Sequence, residues 1–118
     1  MIKLYGIPNC DTTKKAMTWL HKNKLAFSFH DYKTQGIEKT KLQGWIKTAG
    51  LEKIFNKKST TWRELPESEQ EKVNDPAAAI QIMLEHNSII KRPILENGKQ
   101  LIVGFNEKEY QTLTNPIK

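Results

Sequence analysis

The chain has 118 residues, of which 37% are hydrophobic, with one cysteine and a formal charge of +6. That is the size of one small domain with a modest core, too short for an α/β barrel or for a dinucleotide-binding domain joined to a substrate domain. The lone cysteine, Cys10, excludes an internal disulfide and a cysteine-cluster zinc site, and His21, His30 and His86 show no metal-ligand spacing.

Residues 1–5 read as a short strand, closed by Gly6 and Pro8. Helical spacing follows, with Thr13, Ala16, Met17 and Leu20 on one face, and the Asn23-Lys24 step ends that helix. Residues 26–32 alternate, placing Phe27 and Phe29 opposite Ser28 and His30, which predicts a second strand. Strand, helix and strand within about thirty residues match a right-handed βαβ unit with parallel strands. The middle is helical. Leu42, Trp45, Ile46 and Ala49 share a face that Gly50 terminates, and Asp75-Pro76 opens another helix that buries Ile80, Met83 and Leu84.

Beyond Ile89, residues 93–96 and 100–104 flank Asn97-Gly98, a strong hairpin signal. Asn106 with Glu109 three residues on resembles a capping box for a closing helix through Leu113. The order β-α-β, helices, β-β-α predicts an α/β fold: a mixed sheet covered by helices, in a single domain over 1–118 with a helical insertion at approximately 37–88.

No apolar run reaches the roughly 18–20 residues that span a bilayer, and the amino terminus lacks the regions of a signal peptide. A free thiol without an export signal predicts a cytoplasmic protein with no membrane partner. Residues 1–59 carry 12 lysines against 4 acids, whereas residues 60–118 carry 7 basic residues against 9 acids. There is no five-residue basic block and no basic–aromatic alternation. The lysines therefore read as a scattered solvated set, and no direct contact with nucleic acid is expected.

Cys10 follows the non-helical Ile7-Pro8-Asn9 and precedes the helix that Asp11-Thr12-Thr13-Lys14 begins. Unpaired amides and the positive end of the helix dipole meet there, and both favour a thiolate over a thiol. Lys14 and Lys15 add positive charge, which Asp11 partly opposes. The alternative is a small buried hydrophobe, the usual role of a lone cysteine. Thr13 stands where a dithiol motif holds its resolving cysteine, so a mixed disulfide on Cys10 must be resolved by an external thiol. Thr13 can equally be a packed helix-face residue.

The second constellation is Lys91-Arg92-Pro93. On its residues alone Pro93 can be trans beside a solvated Arg92, the commoner arrangement, or cis, which would turn the Arg92 backbone toward the neighbouring βα loop. Arg92 could then offer its planar donor fork to an anion near Cys10. Arg63 is the only other arginine against seventeen lysines, which singles it out. Trp19, Trp45 and Trp62 read as core or cover, and Gly104 as a place of close backbone approach.

Tyr5-Gly6-Ile7-Pro8-Asn9-Cys10-Asp11-Thr12-Thr13-Lys14-Lys15-Ala16, Thr60-Thr61-Trp62-Arg63, Lys91-Arg92-Pro93-Ile94-Leu95 and Val103-Gly104-Phe105 together resemble the arsenate reductase (ArsC)/Spx family, most of all its YffB-type branch. The resemblance covers nearly the whole chain. It implies a thioredoxin-like fold, Cys10 as nucleophile, a cis Pro93, and Arg92 with Arg63 as oxyanion-contacting arginines. Phe105-Asn106-Glu107 stands where arsenate reductases carry a third arginine, which argues against arsenate reduction proper. Spx-type regulators bind RNA polymerase and commonly use a C-x-x-C switch, which Thr13 rules out here.

The reading that results is a monomeric, glutathione-dependent monothiol reductase. Cys10, Arg92 and Arg63 are its candidate catalytic residues, and Asn9, Thr13, Lys14, Lys91 and Pro93 its candidate thiol- or substrate-binding residues. No bound cofactor or metal is expected. Glutathione or another small thiol is the co-substrate and glutaredoxin a further partner. An Spx-like regulator that binds RNA polymerase is the alternative, and arsenate reduction proper a weaker one.

Overall fold

The computed structural model describes residues 2–98 and 100–114. Met1 of the predicted first strand and residues 115–118 of the predicted domain lie outside them. The chain divides into two compact units: a sheet unit formed by the described residues up to Asp31 and from Arg92 onward, and a helical unit over Tyr32–Lys91.

The sheet unit is built on β1 (Ile2–Gly6), α1 (Asp11–Lys22), β2 (Phe27–Asp31), β3 (Ile94–Asn97), β4 (Gln100–Val103) and the closing helix over Glu107–Thr114. The strands lie in the order β2-β1-β3-β4. β1 and β2 are parallel, with Leu4 opposite Phe29, while β1–β3 and β3–β4 are antiparallel. The parallel pair follows from the α1 crossover, and the antiparallel pair from the Asn97-Gly98 turn.

Side chains alternate along each strand, so one register fixes one buried face. Ile2, Leu4, Leu95 and Ile102 form that face and close on Ala16 and Leu20 of α1 and on Tyr110 of the closing helix. Trp19 and Phe105 each meet the Tyr110 ring edge-on, at 5.4 and 4.8 Å. Each fully buried aliphatic side chain here contributes about 1.5–3 kcal/mol. α1 ends where expected: the Asn23 amide bonds to Trp19 and Lys24 takes a positive φ of 58°.

The helical unit runs through α2 (Tyr32–Gln35), α3 (Lys39–Ala49), α4 (Leu51–Ile54), α5 (Thr60–Glu64), α6 (Glu67–Gln70), a 3₁₀ turn at Glu71–Asn74, α7 (Pro76–Glu85) and a second 3₁₀ turn at Asn87–Ile89. The helix of the sheet unit that closes the chain is α8 (Glu107–Thr114). Gly50 ends α3, its amide bonding to Ile46 at 2.8 Å. The Asp75 carboxylate caps α7 at the Ala77 amide, with Pro76 in the first position. Leu42, Trp45, Ile54, Met83, Ile89 and Ile90 are buried. Phe55 bridges to Ile90, and the Phe55 ring meets Trp62 edge-on at 4.9 Å.

The periodicity predicts α3 and α7 but not the short helices between and before them. Segments of four or five residues carry no helical period to detect. α5 had a local signal, since Ser59 accepts a bond from the Trp62 amide and Pro66 follows soon after. Among the described residues no helix is long and apolar enough to cross a membrane, and no group of His, Cys, Asp or Glu could hold a metal ion.

Candidate active site

Cys10 is the N-cap of α1, with extended backbone (φ −78°, ψ 125°). Its amide is held by the Ile7 carbonyl at 3.0 Å and its carbonyl accepts from Lys14 at 2.9 Å. A cap residue normally supplies a side-chain oxygen to the first free amides of the helix. Here sulfur stands in that place, half-buried, and the side chain makes no cap bond of the ordinary kind.

Burial pushes the Cys10 thiol up, because it strips water from the charged form. Hydrogen bonds outweigh it: the Thr13 amide, the Thr13 hydroxyl, the Arg92 guanidinium and the Thr12 amide each favour the thiolate. The net result is a fall from 9.0 to about 7. Near neutral pH the thiolate share is therefore well above that of an ordinary cysteine.

Thr13 is fully buried, and its hydroxyl has no hydrogen-bond partner of normal geometry. The same hydroxyl nonetheless lowers the thiol's pKa. The two facts agree if its approach to a neutral thiol falls outside ordinary bond geometry and closes on the thiolate, whose charge attracts the donor. A buried hydroxyl without a partner costs about 1–3 kcal/mol.

Arg92 reaches the sulfur from the far side of the sequence because β3 pairs antiparallel with β1, setting Tyr5 opposite Ile94. The Arg92–Pro93 peptide bond is cis. Pro93 is buried, and its carbonyl accepts the Gly104 amide at 2.8 Å. Gly104 has a φ of 80°, a conformation that glycine adopts without strain, and it lets the chain turn out of β4 beside Pro93.

The structure thus brings Cys10, Thr13 and Arg92 together, with Pro93 next in chain. Asn9 and Lys14 are exposed on either side of Cys10. Lys91 belongs to the helical unit, where its amide bonds to Ile54 at 2.8 Å and its carbonyl accepts a long bond, 3.4 Å, from the Tyr32 hydroxyl. Arg63 is exposed on α5 of that same unit.

The Thr12 and Thr13 amides are the free helix-start amides that the sequence predicts beside Cys10. One feature is not evident from the sequence. Gly6, read only as punctuation, lies against Thr13. Its position at the mouth of the first helix was the available signal.

A four-stranded mixed sheet with a low-pKa thiol at the mouth of its first helix and a cis proline entering the third strand defines a thioredoxin-like thiol protein. The ArsC family model matches residues 5–113, and the chain belongs to the ArsC family. An uncharacterized protein of Haemophilus influenzae is 45% identical over 112 residues, 94% of this chain and 96% of that one. The global transcriptional regulator Spx of Streptococcus agalactiae is 30% identical over 111 residues, 92% of this chain and 80% of Spx. Among solved structures, the YFFB (PA3664) protein is 44% identical with a TM-score of 0.91, covering 95% of this chain and 97% of that one. An arsenate reductase (ArsC) related protein from Brucella melitensis is 40% identical with a TM-score of 0.74, covering 98% and 95%.

Proposed function

We propose that the protein is a monothiol reductase that works with glutathione in a reducing cytoplasm. The observation that carries this is a thiol lowered to about 7 in a chain with no second cysteine. Cys10 thiolate attacks one sulfur of oxidised glutathione, or of a glutathionylated substrate. A Cys10–glutathione disulfide forms as the old S–S bond breaks, and the departing thiolate leaves with the electron pair. A second glutathione thiolate then attacks the adduct on the glutathione sulfur, giving oxidised glutathione and restoring Cys10 thiolate. Arg92 holds an anionic group, a glutathione carboxylate in this reading, and Thr13 with the helix amides steadies the sulfur. The backbone ahead of Pro93 is available to the peptide part of glutathione.

Mass spectrometry of the intact protein after incubation with oxidised glutathione tests the reading. One glutathionyl group is expected, lost on adding reduced glutathione and absent from Cys10→Ser. An unmodified wild-type protein, or activity unchanged in Cys10→Ser, would sink it.

The Spx relatives favour a second reading, a regulator that contacts RNA polymerase. Thr13 leaves no room for an internal disulfide switch, so its contact would not be gated in that way. Equal, stoichiometric capture of polymerase by wild type and Cys10→Ser would favour the regulator. Arsenate reduction ranks third, because Phe105-Asn106-Glu107 offers no third arginine. Arsenate turnover with glutathione and glutaredoxin, abolished by Arg92→Ala, would reverse that order.

A further inference from the structure

The last residue of β1 touches the site without contributing a functional group to it. Gly6 is buried at the end of the strand, and its backbone needs no left-handed conformation. A methyl group added there would lie 2.7 Å from Thr13 Oγ1, 3.1 Å from Thr13 Cγ2 and 3.5 Å from Thr13 Cβ. The first distance is well inside van der Waals contact. The neighbour has little room to yield, because Thr13 is fully buried and its branched side chain has few rotamers in a helix. The hydroxyl that a side chain at position 6 would displace is the same buried hydroxyl that has no conventional partner. Glycine at position 6 therefore answers a need of the Thr13 side chain.

We propose that Gly6 is a positioning residue for the thiol: by having no side chain, it leaves the Thr13 hydroxyl in the rotamer that faces Cys10 sulfur, ready to donate to the thiolate. The inference rests on the reading of Cys10 as a working thiolate and adds a residue that tunes it from the neighbouring strand. The other groups facing the sulfur are the Arg92 guanidinium and the Thr12 and Thr13 amides, with Asp11 and Lys14 the nearest charges along the helix. The three atoms nearest a methyl group at position 6 all belong to the Thr13 side chain, so the Thr13→Val background separates its effect from theirs.

The test is the rate of Cys10 alkylation by iodoacetamide against pH in the full chain, which involves no glutathione. Gly6→Ala should raise the midpoint by about half to one unit, cutting the thiolate fraction at about pH 6 by about 3- to 10-fold. Thr13→Val, which keeps the shape and removes the hydroxyl, should raise it by a similar amount. Gly6→Ala in the Thr13→Val background should add nothing further. Thr13→Ser retains the hydroxyl but loses the Cγ2 that packs on Gly6, and should fall between wild type and Thr13→Val. It also carries the test if Gly6→Ala fails to fold.

A Gly6→Ala midpoint at the wild-type value overturns the inference. So does an equal rise in the Thr13→Val background, or a Thr13→Ser midpoint at the wild-type value. A wild-type midpoint at or above about 8.5 removes both this inference and the reductase reading. The expected shifts without a glutathione adduct would remove the reductase reading alone.

Discussion

The two units treat buried polar groups differently. Among the described residues, the buried side-chain oxygens without a hydrogen-bond partner are Thr13 Oγ1 and the Tyr110 hydroxyl, both in the sheet unit. In the helical unit the polar side chains close on one another and on the backbone. Ser59 accepts the Trp62 amide at 3.2 Å, Thr61 and Ser88 share a bond of 2.7 Å, and Asn87 donates to the Tyr32 carbonyl at 2.8 Å. Gln70 reaches the Trp62 carbonyl at 2.9 Å. A helical unit of short pieces has few repeating backbone ladders, so side chains must satisfy the loose ends. The sheet unit has its ladders, and it carries two unpaired hydroxyls at a cost in stability. One of them faces the thiol. An unmet hydrogen bond thus stands beside the thiol at Thr13 and inside the packed core at Tyr110.

The contrast can be broken or sharpened by substitution. The largest effect belongs to Cys10→Ser, which should reduce thiol–disulfide exchange with oxidised glutathione to the uncatalysed background in a coupled assay. Residual exchange at the wild-type rate would remove the sheet unit's claim to the chemistry. Trp45→Ala, deep in the helical unit at 2% exposure, should cost about 3–5 kcal/mol by chemical denaturation. A cost below about 1 kcal/mol would mean that this unit lacks a core of its own.

Arg92→Ala comes next. Loss of a charged hydrogen bond to the sulfur should slow reaction with oxidised glutathione by about 10- to 100-fold, and should raise the alkylation midpoint of Cys10. Arg92→Lys should recover only part, because a point charge replaces a planar fork. A full recovery would show that charge alone suffices.

A smaller pair of changes tests the polar contrast directly. Burial, then the Glu109 carboxylate, pushes the Tyr110 phenol well above its usual range, so it stays a neutral hydroxyl with nothing to bond. Tyr110→Phe should therefore leave stability unchanged or raise it by up to about 1 kcal/mol. Ser59→Ala removes a bonded cap and should cost about 1 kcal/mol. Opposite signs are expected in thermal or denaturant melts, and equal losses would erase the difference between the units.

The smallest effect is on pH dependence. The Cys10 thiol is lower in the folded chain, about 7, than its ordinary 9.0. A depressed acid stabilises the fold fully above the unfolded value and loses that contribution as pH falls through the folded one. The stability difference between wild type and Cys10→Ser should therefore grow in favour of wild type between about pH 6 and about pH 9. Solvent around the half-exposed sulfur keeps the effect modest. A flat difference across that window would mean that the thiolate is not held by the fold.

Much of the fold was legible because its signals are local. Asp75-Pro76, Asn97-Gly98 and the Asn23-Lys24 step each act within a few residues, and each sits where the chain turns or caps. The capping-box reading of Asn106 was half realised: its side chain accepts from the Lys108 and Glu109 amides. The alternation of Phe27 and Phe29 with Ser28 and His30 likewise foretold the strand, and Trp45 and Trp62 are buried as expected. The short helices α2, α4 and α6 were not legible, because four residues hold too little of a 3.6-residue period to be distinguished from a loop, and α5 offered only its Ser59 cap.

The sequence by itself determined where the lone thiol stands: one cysteine, after a turn and before a helix, with threonine where a partner thiol would be. Tertiary structure decided what surrounds it. Arg92 meets Cys10 only because β1 and β3 pair in one register, and the Arg92–Pro93 bond is cis, an isomer the residues alone left open. The Thr13 hydroxyl is unpaired only because packing has sealed it from water, and Gly6 matters only because the strand end comes within contact distance of that hydroxyl. Caps, turns and periods act over a few residues, whereas a thiol's acidity is set by whatever lies within a few ångströms, however distant along the chain.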